Sequence, residues 1–209
     1  MWPWEHALVA YLAYSLCCHV VFRKSPTGLE AFTVVFASLL PDLIDKPLAW
    51  ELGVFDNGYA IGHSIFFAVP LAIFAGTLAH TVTRPRVGLA FGLGYLSHLP
   101  ADVVDSVFRK GIFQIELMLW PIVSVHGQPP GPSVLEVFIH SSGRYWRAVL
   151  AGDLSTYLLL QFGLAGVVLV VWLIDGAPVF RECLHAGFRV ARALLGRTPD
   201  SRSNQHGRQ

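Results

Sequence analysis

The sequence predicts an all-α, polytopic helical membrane protein with about five spans plus interfacial helices. Three observations lead there. Of 209 residues, 54% are hydrophobic and 14% charged, where ordinary soluble domains carry about 25% charge. Mean hydropathy is +0.52. Leu154 to Ile174 runs without a charge over about the length that a bilayer core requires. The net charge of +1 points to no class of partner.

The elements follow in order. The first expected span is Ala7 to Phe22, ended by Arg23, Lys24 and Pro26. No basic residue precedes it and no small-residue cleavage pattern follows, so it reads as a retained helix rather than a signal peptide. The second is Leu29 to Ile44, with Pro41 near its end. The third is Gly62 to Val82, stopped by Arg84-Pro85-Arg86, and the fourth runs from Val87 to about Val107, stopped by Arg109-Lys110. Ile112 to Val125 is apolar but short and broken by Gln114, Glu116 and Pro121, which suits a partial or interfacial helix. "GQPPGP" at 127–132 reads as a loop. Val134 to Leu150, with Tyr145 and Trp146, reads as an interfacial helix, and Leu154 to Ile174 is the last span. We divide the chain into one membrane-embedded domain, 1–178, a basic amphipathic helix lying on the membrane, 179–195, and a polar, disordered tail, 196–209. Cys17, Cys18 and Cys183 make no disulfide framework and read as small hydrophobes.

Lys and Arg set the expected orientation. With the N-terminus outside, ten of the fifteen fall on the cytoplasmic side, including the six arginines after Asp175. The protein is therefore expected in the cell membrane, multi-pass, N-terminus outside and C-terminus cytoplasmic. Arg109-Lys110 is the dissenting pair.

In this topology the polar residues of the spans converge. His6 precedes the first span, Asp42 and Asp45 end the second, His63 begins the third, and "LSHLPADVVD" at 96–105 puts His98, Asp102 and Asp105 on one helical face in the outer half of the fourth. Each has an ordinary reading alone: a hydrogen-bonded pair, a cap, a helix start, a solvated interface histidine. Together at one depth they read as ligands. Ionisable groups in a membrane cost several kcal/mol each, roughly, and a divalent cation offsets several such costs together. Imidazole nitrogen and carboxylate oxygen suit zinc, with manganese or iron(II) as alternatives. Glu136 and His140, also four apart, are a weaker pair.

These residues carry a resemblance. "LLPDLID" at 39–45, "IGHSIFF" at 61–67 and "GYLSHLPADVVD" at 94–105 resemble the membrane-bound metal-dependent hydrolase family, the YdjM-like or LexA-binding inner-membrane-associated hydrolases. "WLIDGAP" at 172–178 is similar to the end of the last helix in archaeal members. The resemblance implies a helical membrane protein related to zinc-dependent phospholipase C. It implies metal ligation by Asp42 or Asp45, His63, His98 and Asp102, with His6 a weaker match. One departure is "NGYAIGHS" at 57–64, which lacks the arginine many members carry there.

The expected function is a metal-dependent hydrolase of a phosphodiester or lipid ester at the membrane surface. Its metal ligands would be Asp42, His63, His98, Asp102 and His6, and Asp45 would orient the water or accept its proton. Trp2, Trp4, Trp50, Tyr59, Tyr145 and Trp146 suit an interface belt and make a lipid headgroup a fitting substrate. No nucleic-acid partner is expected. The rivals are a non-enzymatic metal-binding membrane scaffold and an ion or proton transporter. The spans' inner halves are poor in the polar residues that a transport path needs.

Overall fold

The computed structural model describes residues 1–124, 133–152 and 155–195. The expected loop at 127–132 and the expected tail at 196–209 lie outside the described residues. Among the described residues there are helices and turns and no strands. The α-helices are α1 Pro3–Cys17, α2 Gly28–Trp50, α3 Ile65–Thr81, α4 Pro85–Lys110, α5 Val134–Leu150, α6 Thr156–Ile174 and α7 Phe180–Leu195. α1 continues as a π-helical turn over Cys18–Phe22 and stops at Arg23, whose φ of 51° ends the helical path.

Local chemistry sets the helix starts. Pro3 occupies the first turn of α1, where a missing N–H costs nothing. Thr27 and Glu30 cap α2 reciprocally: the Glu30 N–H donates to Thr27 Oγ1 and the Thr27 N–H to Glu30 Oε2. Ser133 and Ser155 accept from the third residue of α5 and α6 in the same way. α2 runs past the expected Ile44 to Trp50, with Pro41 and Pro47 inside it. Its extra turns put Asp45 and Lys46 within the helix that carries Asp42.

Pro3–Phe22, Pro85–Lys110 and Thr156–Ile174 are long and apolar enough to cross a membrane. α3 is apolar but shorter, at 17 residues. α2 is long enough at 23 residues but carries Glu30, Asp42, Asp45 and Lys46. Among the described residues of the stretch expected as a partial or interfacial helix, 112–124, the helical part is a 3₁₀ turn, Ile115–Met118. Gln114, Glu116 and Pro121 leave too few residues there for a longer helix.

α2 and α4 pack along each other, α3 lies on α4, α1 on both α2 and α4, and α6 on α1. Small residues allow the close approach. A Cβ on Gly94 would stand 2.4 Å from the Val34 carbonyl oxygen, and one on Gly88 would stand 2.8 Å from the Gly76 Cα. Ala10, Tyr14, Cys18, Val34 and Ala90 form one core, and Ala37, Ala68, Tyr95 and Leu99 another.

The two ends of the bundle differ. At one end the start of α2 meets the start of α4 through a Glu30–Arg86 ion pair of 2.9 Å. There Asp175, after α6, accepts from Tyr11 and Ser15, both at 2.7 Å, and lies 2.6 Å from His19. α7 starts at this end, where Glu182 accepts from the Gly28 N–H. The other end gathers the start of α1, the second half of α2, the loop before α3 and the second half of α4.

Candidate metal centre

Four buried side chains converge at this second end: Asp42, His63, His98 and Asp102. One ligand atom from each lies within 4.8 Å of the others. Asp42 comes from α2, His98 and Asp102 from successive turns of α4, and His63 from the loop just before α3. His63 Nε2 is 3.1 Å from His98 Nε2, 3.4 Å from Asp42 Oδ1 and 3.5 Å from Asp102 Oδ2. His98 Nε2 is 3.7 Å from Asp42 Oδ1 and 3.4 Å from Asp102 Oδ2. Ligands bound about 2.1 Å from a tetrahedral ion stand about 3.4 Å apart. Five of the six separations lie near that value, and the sixth, between Asp42 and Asp102, is within 4.8 Å.

The outer partners of the two imidazoles fix what faces inward. His98 Nδ1 lies 2.6 Å from the Ser38 carbonyl oxygen, which only accepts, so Nδ1 carries the hydrogen. His63 Nδ1 lies 2.7 Å from Asp45 Oδ2. That carboxylate also accepts from the backbone N–H of Ala60 at 2.7 Å, Gly62 at 2.8 Å and His63 at 3.0 Å. Its oxygens thus act as acceptors, and toward the ring as well. In the neutral rings both Nε2 lone pairs then point at each other and at two carboxylates. A proton on one ring would relieve one contact, whereas a divalent cation would satisfy all four groups at once.

His6 belongs to a second layer. Its ring stacks on His98 with centroids 3.6 Å apart, and its Nε2 is 3.2 Å from Asp102 Oδ1, the oxygen turned away from His63 and His98. Neither ring nitrogen of His6 makes a well-directed hydrogen bond, although the residue is 1% exposed. The Met1 ammonium bridges Asp102 Oδ1 at 3.0 Å and Asp105 Oδ2 at 3.1 Å. Burial lowers its pKa, but those two carboxylates outweigh burial and the net direction is upward. Asp105 also pairs with Arg109 at 2.9 Å, so this member of the α4 stripe balances charge outside the four-residue group.

Several contributors carry no sequence signal. Tyr59 lies edge-on to His63 at 4.7 Å. Burial, and then the Asp102, Asp42 and Asp105 charges, push its phenol well above the usual range. Tyr95 donates to the Gly62 carbonyl at 2.8 Å and holds the loop from the α4 side. Gly62 itself is required, because a Cβ there would stand 2.8 Å from the Pro41 carbonyl oxygen. Lys46 sits 2.6 Å from Asp42 Oδ2, opposite the oxygen that faces the histidines. Arg109, the dissenting charge of the topology count, is tied to Asp105, Glu5 and Tyr157. Glu136, His140 and the exposed Glu116 stay outside the four-residue group.

The sequence profile of the YdjM inner membrane protein family matches residues 1–179, which spans all four converging residues. The chain belongs to this family. Family membership and the apolar helices together make it a membrane protein. No curated protein and no solved structure matches the chain. The YdjM family match ends just before α7, so α7 is described from this chain alone.

Proposed function

We propose that this YdjM-family protein is a metal-dependent hydrolase acting on a phosphodiester or lipid ester at the membrane surface. The observation that carries the reading is the convergence of two imidazoles and two carboxylates beside a cavity of about 330 Å³, on whose wall Asp42 also lies. Asp42, His63, His98 and Asp102 would hold the ion, zinc by the ligand set and manganese as the alternative. When bound, such an ion lowers the pKa of a water and polarises a phosphoryl or acyl oxygen.

The remaining roles belong to the chain. Ser38 and Asp45 keep the proton on the outer nitrogen of each imidazole. Asp45, expected to orient water, has its oxygens engaged by the 60–63 loop and His63, so we assign it to positioning. His6 and the Met1 ammonium, on the far side of Asp102, approach that carboxylate's second oxygen, and Asp105 shares the ammonium. The test is hydrolysis of phosphodiester and lipid-ester panels by purified protein, lost on chelation and restored by zinc or manganese. Silence of both panels with metal loaded would refute it.

A scaffold reading has its own support. Four protein ligands on a tetrahedral ion would leave no position for water unless one carboxylate moved or the ion took a fifth ligand. The same panels decide between the two.

The five-span arrangement, with α2 and α3 crossing beside α1, α4 and α6, is part of the proposal. So is the orientation, N-terminus outside and C-terminus cytoplasmic. It is supported by Arg23, Lys24, Arg84, Arg86 and the α7 arginines gathering at the end away from the four-residue group. α7 has apolar Phe180, Leu184 and Phe188 interleaved with Arg181, Arg189 and Arg192, which suits a helix lying on anionic lipid.

A further inference from the structure

The cavity beside Asp42 combines two chemistries. Lys46 and Arg109 contribute cationic groups to its wall, and Leu39, Leu43, Val137 and Phe138 contribute apolar ones. Leu43 and Phe138 are exposed, as are Leu135 and Ile139 along α5, so the apolar wall continues onto the outside of the bundle. α5 is docked over this region by the Val134 N–H donating to Glu51 and by Tyr145 packing on Trp2 and Trp4.

The cations are not equivalent. Arg109 is already balanced by Asp105, with Glu5 nearby. Lys46 has Asp42 as its ion-pair partner, and Asp42 turns its other oxygen toward the two histidines. A cation held by the four-residue group would neutralise Asp42. The Lys46 ammonium, about a quarter exposed, would then be left to pair with an anion entering the cavity. An anion attached to an apolar chain would meet Lys46 with its charge and the Leu43–Phe138 wall with its tail.

We infer that Lys46, assisted by Arg109, selects the phosphate of a phospholipid headgroup and that the lipid's chain lies along the apolar wall of α2 and α5. This supplies a phosphate-gripping charge from α2 where the stretch before His63 has none. It rests on the hydrolase reading for the outcome of binding, but the binding itself is measured without turnover.

The probes are dihexanoyl phosphatidic acid, dihexanoylglycerol and inorganic phosphate, titrated against zinc-loaded full chain in dodecyl maltoside. Binding is read by tryptophan fluorescence, since Trp2 and Trp50 line the cavity. The phosphate lipid is expected to bind at least about tenfold more tightly than either other probe, the scale of one charge-assisted hydrogen bond. Lys46→Gln should remove that advantage with zinc content unchanged, and Lys46→Arg should restore most of it. Arg109→Gln serves as the second variant and should reduce it partly. Equal binding of dihexanoylglycerol would overturn the inference, as would inorganic phosphate binding as tightly as the lipid. Loss of zinc together with lipid binding in Lys46→Gln would make Lys46 a support for Asp42 and overturn its assignment. A protein that binds the phosphate lipid selectively yet hydrolyses nothing would keep this inference and sink the hydrolase reading.

Discussion

Replacing Asp45 by Asn tests the positioning role most sharply, because size is kept and only acceptor capacity changes. Asp45 is fully buried and accepts four hydrogen bonds, from the N–H groups of Ala60, Gly62 and His63 and from His63 Nδ1. Its Oδ1 receives one of these and its Oδ2 three. An asparagine has a single acceptor oxygen. With that oxygen at the Oδ2 position, its NH₂ meets the Gly62 N–H, and one buried donor loses its partner. With the amide reversed, three do. An unsatisfied buried donor costs about 1–3 kcal/mol, so the favourable orientation alone should destabilise the loop by about 2 kcal/mol. The ring of His63 also loses a charged partner, and losses of that kind typically weaken metal binding about 10–100-fold. The assay is zinc titration of purified Asp45→Asn against a competing chelator, with thermal unfolding in detergent alongside. We expect weaker zinc binding in that range together with a lower melting temperature. Wild-type zinc affinity and wild-type stability, with only the hydrolysis rate lost, would refute the positioning role and return Asp45 to the water.

Other sites give further expectations. Gly94→Val should destabilise the fold by about 1–3 kcal/mol through overpacking against Val34, and should lower zinc affinity because Gly94 lies one turn before His98; thermal unfolding and zinc titration check both. Arg86→Met removes the cation paired with the buried Glu30 carboxylate at the opposite end of the bundle, leaving it only the Thr27 N–H, and should cost about 2 kcal/mol while zinc stoichiometry stays at the wild-type value. In a background with the native cysteines replaced, the exposed Leu52→Cys should react with an impermeant thiol reagent added to intact cells, and the exposed Lys24→Cys should react only after permeabilisation. Reaction of both in intact cells would contradict the proposed orientation.

Much of this architecture is legible in the sequence because membrane helices announce themselves. Apolar length and basic punctuation locate α3, α4 and α6 within a few residues. α2 is misjudged at its far end, where the apolar run gives out at Ile44. In the fold the helix continues to Trp50, and Pro41 sits buried against the loop whose Gly62 approaches its carbonyl. The stretch from Ile112, read as a partial or interfacial helix, is helical over Ile115–Met118 alone among its described residues, because apolar composition there does not amount to a longer helical pattern.

The ligand group is legible for a simple reason. Histidine and aspartate are conspicuous inside apolar helices, and His-x-x-x-Asp spacing stacks His98 over Asp102. His6 shares the same depth but reaches Asp102 from its far side, a distinction that only the packing of α1 on α4 makes. The roles around the group are hidden for an equally physical reason. The Ser38 carbonyl, the three N–H groups on Asp45 and the Tyr95 contact with Gly62 are backbone interactions, and any residue type could supply the backbone half. Lys46 reads as an interface charge until α2 is extended by a turn and a half and brings it beside Asp42.

The central claim is that Asp42, His63, His98 and Asp102 together hold a divalent cation. Elemental analysis of the purified full chain, with His98→Ala and the exposed His80→Ala prepared beside it, tests this directly. We predict zinc or manganese in the wild type at one or more equivalents per chain, retained in His80→Ala and lost in His98→Ala. A folded wild-type protein that carries no metal and takes up none when zinc and manganese are supplied would contradict the account, as would His98→Ala holding as much metal as the wild type.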